Sequence, residues 1–63
     1  MKTLRQIIKT LGDTITNSRV CYCRNGKVHS SFSINELSQE QLNVKYSSRE
    51  WFIEDNDLCI LDY

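Results

Sequence analysis

The stretch VCYCRNGKVHSS, residues 20–31, decides the fold because it contains the strongest turn signal in the chain. Asn25-Gly26 is a pair favoured by two-residue type I′ turns, in which both positions need a positive φ. Strand-forming residues flank the pair on both sides, so residues 19–34 are predicted to form a β-hairpin. The two-residue turn also fixes which residues of the two strands lie opposite each other.

The predicted pairing assigns the hairpin side chains to two faces. Arg24 lies opposite Lys27, and Tyr22 lies opposite His29. Because successive side chains of a strand alternate between faces, one face is predicted to hold Cys21, Cys23, Val28, Ser30 and Phe32. The other face is predicted to hold Val20, Tyr22, Arg24, Lys27, His29 and Ser31. We expect the cysteines to pack inward as small apolar residues.

The cysteines and the only histidine do not match a metal or redox site. Structural zinc sites space paired ligands as C-x2-4-C, whereas one residue separates Cys21 from Cys23 and His29 is predicted on the opposite face. Cys59 could add a third thiolate, but a fourth protein ligand is missing. Redox pairs use a C-x-x-C motif at a helix N-terminus, and this sequence has neither the motif nor a cysteine at a predicted helix start. No metal and no cofactor is predicted.

The composition predicts a folded protein without a membrane partner. No apolar run approaches the roughly 20 residues that cross a bilayer, and charges interrupt the apolar residues of MKTLRQIIKTLGDT. Three cysteines cannot all pair within one chain. Free thiols in a reducing, cytoplasmic compartment are therefore expected.

The residues before the hairpin predict an amphipathic helix. Apolar side chains recur at the spacing of one helical face: Leu4, Ile7, Ile8, Leu11 and Ile15. Gly12 could cap the helix after Leu11 or be tolerated within it. Because Ile15 keeps the apolar phase, we expect the helix to reach about Thr16.

The residues after the hairpin predict a short helix and a second hairpin. Ser33 with Glu36, and Ser38 with Gln41, each have the spacing of a capping box. Two strand-like runs then flank EDND, residues 54–57, which is rich in turn-forming residues. The run LCIL, residues 58–61, is apolar at every position, which is typical of a strand in the centre of a sheet.

The predicted fold is an α+β domain covering residues 1–63, with the element order α-β-β-α-β-β. It consists of a small antiparallel sheet built from two hairpins, an N-terminal amphipathic helix and a short middle helix. The core is expected to contain the larger apolar residues of all these elements: Leu4, Ile7, Ile8, Leu11, Ile15, Phe32, Leu37, Leu42, Phe52, Ile53, Leu58, Ile60 and Leu61. So short a chain buries only roughly 60% of its unfolded surface, which makes a homodimer plausible.

The formal net charge is zero, but the charge is divided along the chain. Residues 1–31 carry six basic residues and one acid, whereas residues 32–63 carry two basic residues and seven acids. The two halves either attract each other in the folded chain or form opposed surfaces. Enzyme activity is not expected, because the chain has no glycine-rich phosphate loop and its acidic turn lacks the ligand series of a calcium loop.

Two binding functions remain. The first is a small protein-binding module, an inhibitor or accessory protein, that uses acids and interface aromatics to bind a partner with a basic surface. Its candidate residues are Glu50, Trp51, Glu54, Asp55, Asp57, Asp62 and Tyr63, although a core position is the simpler interpretation for Trp51. The alternative is nucleic-acid binding by the basic N-terminal helix and the hairpin tip. Its candidate residues are Lys2, Arg5, Lys9, Tyr22, Arg24, Lys27 and His29.

Overall fold

The computed structural model describes residues 1–61 and shows helices packed on one face of a four-stranded sheet. The predicted α+β class and the order α-β-β-α-β-β are confirmed, with two short additional strands. The elements are β1 (Lys2–Thr3), α1 (Leu4–Leu11), a 3-10 turn (Gly12–Thr14), β2 (Arg19–Arg24), β3 (Lys27–Ser33), a second 3-10 turn (Ile34–Glu36), α2 (Gln39–Asn43), β4 (Lys45–Tyr46), β5 (Trp51–Glu54) and β6 (Asp57–Leu61).

Capping interactions set both ends of α1. Gln6 N donates to Thr3 Oγ1 at 3.2 Å, and Thr3 N donates to Gln6 Oε1 at 2.9 Å, which satisfies two backbone donors at the start of the helix. The helix ends at Leu11 because Gly12 takes φ +47° and ψ −113°. The predicted end near Thr16 is therefore wrong. Ile15 is still buried, but it reaches the core from the loop after the helix.

The predicted capping boxes of the middle segment are both present. Ser33 N donates to Glu36 Oε1 at 2.9 Å, and Ser38 N donates to Gln41 Oε1 at 2.8 Å. The first box begins a 3-10 turn and the second begins α2. The two capping boxes in this short segment therefore begin two separate helical turns.

The two hairpins meet through a parallel pair, so the sheet is mixed rather than antiparallel throughout. The strand order is β3-β2-β6-β5, and β2 runs parallel to β6, with Cys21 opposite Cys59. The central position predicted for residues 58–61 is confirmed, since Leu58 and Ile60 are fully buried. The β2–β3 and β5–β6 turns consequently lie at opposite ends of the sheet.

The Asn25-Gly26 turn is confirmed, with φ +54° and +77°, but the predicted register holds for only two pairs. Arg24 pairs with Lys27, and Cys23 pairs with Val28. His29 is then an extra residue, a β-bulge, and Tyr22 lies opposite Ser30 instead of His29. The predicted faces are wrong beyond the bulge, because one inserted residue reverses the alternation.

The core lies between the helices and the face of the sheet that carries Val20, Leu58 and Ile60. The buried cluster is Leu4, Ile7, Ile15, Val20, Leu37, Leu58 and Ile60. Phe52, predicted as core, lies on the opposite face and is 38% exposed. Val20 was not in the predicted core, because the cysteine face was expected to point inward.

The backbone of Gly12 supplies a stability test. An added Cβ at Gly12 meets no atom within 4 Å, so any cost of Gly12→Ala arises from its backbone conformation. We expect a loss of about 1–3 kcal/mol in the free energy of unfolding, measured by urea denaturation. The control is Thr10→Ala, an exposed site within α1, where no loss is expected. Equal stability of Gly12→Ala and the parent would contradict the helix end described here.

Candidate functional site

Strand β5 forms one edge of the sheet and pairs only with β6 among the described residues. The turn before β6 is built from Asp55 and Asn56, whose φ values of +51° and +65° suit a type I′ turn. Short polar side chains tolerate this left-handed region better than most residues do. The turn pairs Glu54 with Asp57 and so fixes the register of the whole strand.

The alternation of an antiparallel ladder shows which backbone groups of β5 are unpaired. A two-residue turn makes Glu54 and Asp57 a hydrogen-bonded pair, and Phe52 with Cys59 is the next such pair. The bond from Leu61 N to Glu50 O, 2.8 Å long, continues the same alternation. The N–H and C=O groups of Trp51 and Ile53 therefore point away from β6, toward the open edge.

The side chains of β5 give this edge two different faces. Trp51 and Ile53 are half-buried and pack against the core, which agrees in part with the core position expected for Trp51. Phe52 and Glu54 lie on the face opposite the helices and are exposed. The edge thus combines free backbone groups with an exposed aromatic ring and a carboxylate.

The predicted acidic residues differ in how available they are. Glu54 and Asp55 are exposed beside the open edge. Asp57 is half-buried, and its Oδ1 accepts a hydrogen bond from Asn17 Nδ2 at 3.0 Å. Glu50 Oε1 accepts from Ser47 N at 2.7 Å and so holds the turn before β5. Asp62 and Tyr63 lie outside the described residues.

The opposite edge of the sheet, β3, is less suited to pairing. The β-bulge at His29 interrupts its regular spacing, and Lys27 stands at its start. Bulges and edge lysines both oppose the addition of another strand. Within β5, by contrast, no bulge, proline or lysine is present.

The three cysteines gather on the face of the sheet away from the helices. Cys21 lies opposite Cys59, and Cys23 lies opposite Leu61. Cys21 and Cys59 are buried as predicted, but neither belongs to the core cluster. Burial raises the pKa of the Cys21 thiol, with a further contribution from Asp57, and raises the pKa of Cys59 to about 12. These two thiols remain protonated and unreactive at neutral pH.

Among residues 1–61, no group of three or more His, Cys, Asp or Glu side chains is arranged to hold a metal ion. No helix in the same range is long and apolar enough to cross a membrane.

The predicted nucleic-acid residues divide into two groups. Lys2, Tyr22 and His29 line two pockets that share Tyr46, and Arg24 and Lys27 lie at the neighbouring hairpin tip. Arg5 is turned toward α2 and donates to Asn43 Oδ1 and Gln39 Oε1 at 2.6 and 2.5 Å. Lys9 is exposed in the last turn of α1 and lines neither pocket.

Two members of these surfaces, Phe52 and Tyr46, were not among the candidate site residues. Phe52 was assigned to the core because strand alternation alone does not identify the covered face. Tyr46 was missed because its position between the two pockets depends on the pairing of β4 with β1, which no short motif indicates. Comparison of the chain with protein-family models, curated proteins and solved structures finds no match.

Thiol labelling tests the cysteine arrangement. Maleimide treatment of the native protein at pH 8 should modify Cys23 first, because it is only half-buried, and leave Cys21 and Cys59 largely unmodified. Cys59 should stay slow to label over the whole pH range in which maleimide is stable, because burial raises its pKa to about 12. Peptide mass spectrometry reads each site, and urea-unfolded protein is the control in which all three react. Equal native rates would contradict the assigned burial.

Proposed function

We propose that the protein is a non-enzymatic protein-binding module, an inhibitor or accessory protein, that acts by occupying a partner's surface. The partner adds an extended segment to the open edge of β5, and that segment carries basic residues. The single observation that supports this function is the edge itself, where outward N–H and C=O groups of Trp51 and Ile53 accompany exposed Phe52, Glu54 and Asp55.

Strand addition suits this edge on physical grounds. Backbone hydrogen bonds supply affinity in β-augmentation, while alternate side chains supply specificity. An added segment would place every second side chain on the outer face, beside Phe52 and Glu54. A lysine or arginine there can pair with Glu54 while its aliphatic stem covers the Phe52 ring.

Self-association through β5 is unfavourable in the register that places Phe52 opposite its own copy. Antiparallel pairing keeps outer-face residues opposite outer-face residues, so Phe52 opposite its own copy would place Glu54 opposite Glu50. Each copy would also bring its exposed Asp55 close to the β5 strand of the other copy. Like charges in these positions repel, whereas a basic partner segment replaces that repulsion with attraction.

A titration with defined peptides tests the proposed partner chemistry. The probe is a seven-residue peptide in which lysine alternates with valine and threonine, and its control carries glutamate in place of lysine. Only the lysine peptide should shift the amide NMR signals of Trp51 and Ile53, and added salt should weaken the effect. Equal binding of both peptides, or of neither, would contradict the proposed partner.

Backbone N-methylation locates the interaction, since the 63-residue chain is short enough for chemical synthesis. N-methyl-Ile53 keeps its side chain and its intrachain ladder but loses an outward donor, so it should lose peptide binding. N-methyl-Val28 is the matched control, because Val28 N–H also points outward but on the β3 edge.

Sedimentation of the unmodified protein tests whether β5 instead pairs with a second copy of the chain. A dimer that dissociates on N-methylation of Ile53 would overturn the proposal.

A further inference from the structure

Two pockets of about 360 and 260 Å³ open on the helix-bearing side of the sheet and share Tyr46 as a wall. The first pocket is also lined by Lys2, Ser47 and Trp51. The second is also lined by Tyr22, His29, Ser30, Phe32 and Gln41. We name the two pockets together the aromatic cleft.

The sheet register explains why aromatic rings gather at this place. Tyr22, Ile60 and Trp51 occupy one row across three neighbouring strands and point to the same face. The Phe32 ring packs against Tyr22 edge to face, with ring centroids 5.8 Å apart. Tyr46 reaches this row from β4, which β1 holds in place through the Lys2–Tyr46 pair. The cleft is therefore built from several packed elements.

Lysines lie beside the cleft, while the acids of the β5–β6 turn lie at the other end of the sheet. Lys2 lines the first pocket. Arg24 and Lys27 form the last strand pair before the hairpin turn, beyond the pair of Tyr22 with Ser30. Because side chains alternate along β2, Arg24 lies on the same face as Tyr22. Glu54 and Asp55 belong to the turn at the opposite end. The cleft therefore combines aromatic rings with nearby lysines and is remote from the acidic β5–β6 turn.

From this arrangement we propose that the aromatic cleft binds single-stranded nucleic acid, with bases in the two pockets and phosphates against Lys2 and Lys27. Aromatic rings combined with a cationic border are the features that bind single strands without strict sequence preference. The Gln41, Ser30 and Ser47 side chains supply hydrogen-bonding groups at the pocket walls. A duplex keeps its bases stacked inside the helix, so the recessed rings cannot reach them.

Trp51 fluorescence provides the readout for a direct test. Titration with a thymidine decamer should quench Trp51 emission, and the affinity should fall with salt at a logarithmic slope of about −0.7 for each phosphate contacted. Polyphosphate of similar charge should neither quench the emission nor compete efficiently. Thymidine monophosphate and a duplex decamer should both bind at least tenfold more weakly than the single strand.

Matched variants separate stacking from charge. Tyr46→Leu should weaken binding about 5- to 100-fold, whereas Tyr46→Phe should bind as the parent does, because it retains the ring. Lys27→Glu should weaken binding and reduce the salt slope, whereas Lys9→Glu makes the same charge change away from the cleft and should have no effect. Circular dichroism confirms folding, and both exposed lysine sites remain informative if Tyr46→Leu unfolds.

Several outcomes would overturn this inference. Absence of decamer binding at low salt would contradict the proposal. Equal effects of Lys27→Glu and Lys9→Glu would show that the decamer is attracted by lysines in general and not bound at the cleft. Polyphosphate that competes as well as the decamer would show that no base is bound. Monophosphate binding as tight as the decamer would identify a free nucleotide as the ligand instead of a strand. N-methyl-Ile53 should bind the decamer normally, because its altered group lies at the β5 edge.

Discussion

The parallel pairing of β2 with β6 is the interaction on which the rest of the structure depends. It joins two hairpins, neither of which would be stable alone, into one sheet with a continuous buried face. Val20, Leu58 and Ile60 become fully buried beside this contact, and burial of each such side chain contributes roughly 1.5–3 kcal/mol. The same pairing brings the cysteines together on the other face.

Both candidate surfaces are consequences of that arrangement. With β2 and β6 in the centre, β3 and β5 become the edges, and only β3 carries a bulge. The row that contains Tyr22, Ile60 and Trp51 exists because three strands align across the same contact. The turns at opposite ends of the sheet then separate the basic hairpin tip from the acidic β5–β6 turn. The two proposed ligands therefore use different groups of the molecule and meet only at Trp51, whose backbone lies on the β5 edge and whose side chain lines the cleft.

Local signals predicted much of the fold, and long-range pairing accounts for most of the errors. Asn25-Gly26 and the Ser38–Gln41 box act within a few residues, so the sequence pattern identified both. The parallel partner of β2 is more than 30 residues away, and no short motif encodes it. The bulge at His29 reversed the predicted faces, since hydrophobicity alternates weakly in a strand rich in serine. The helix end was misplaced because Ile15 continues the helical phase from a loop.

The candidate site was predictable in its composition but not in its geometry. The acids around residues 50–57 and Trp51 were identified from charge and residue type. Their division into structural and exposed members depends on contacts such as Asn17 with Asp57. Likewise, Arg5 resembled Lys2 in sequence, yet its bonds to α2 remove it from the basic surface around the cleft.

Site-resolved amide hydrogen exchange in the free protein tests the central claim, that β5 offers an open edge, most directly. The alternation predicts rapid exchange at Ile53, whose N–H points outward, and slow exchange at Phe52 and Glu54, whose N–H groups bond to β6. Slow exchange at Ile53 comparable to that at Phe52 would show that the edge is already covered and would contradict the account.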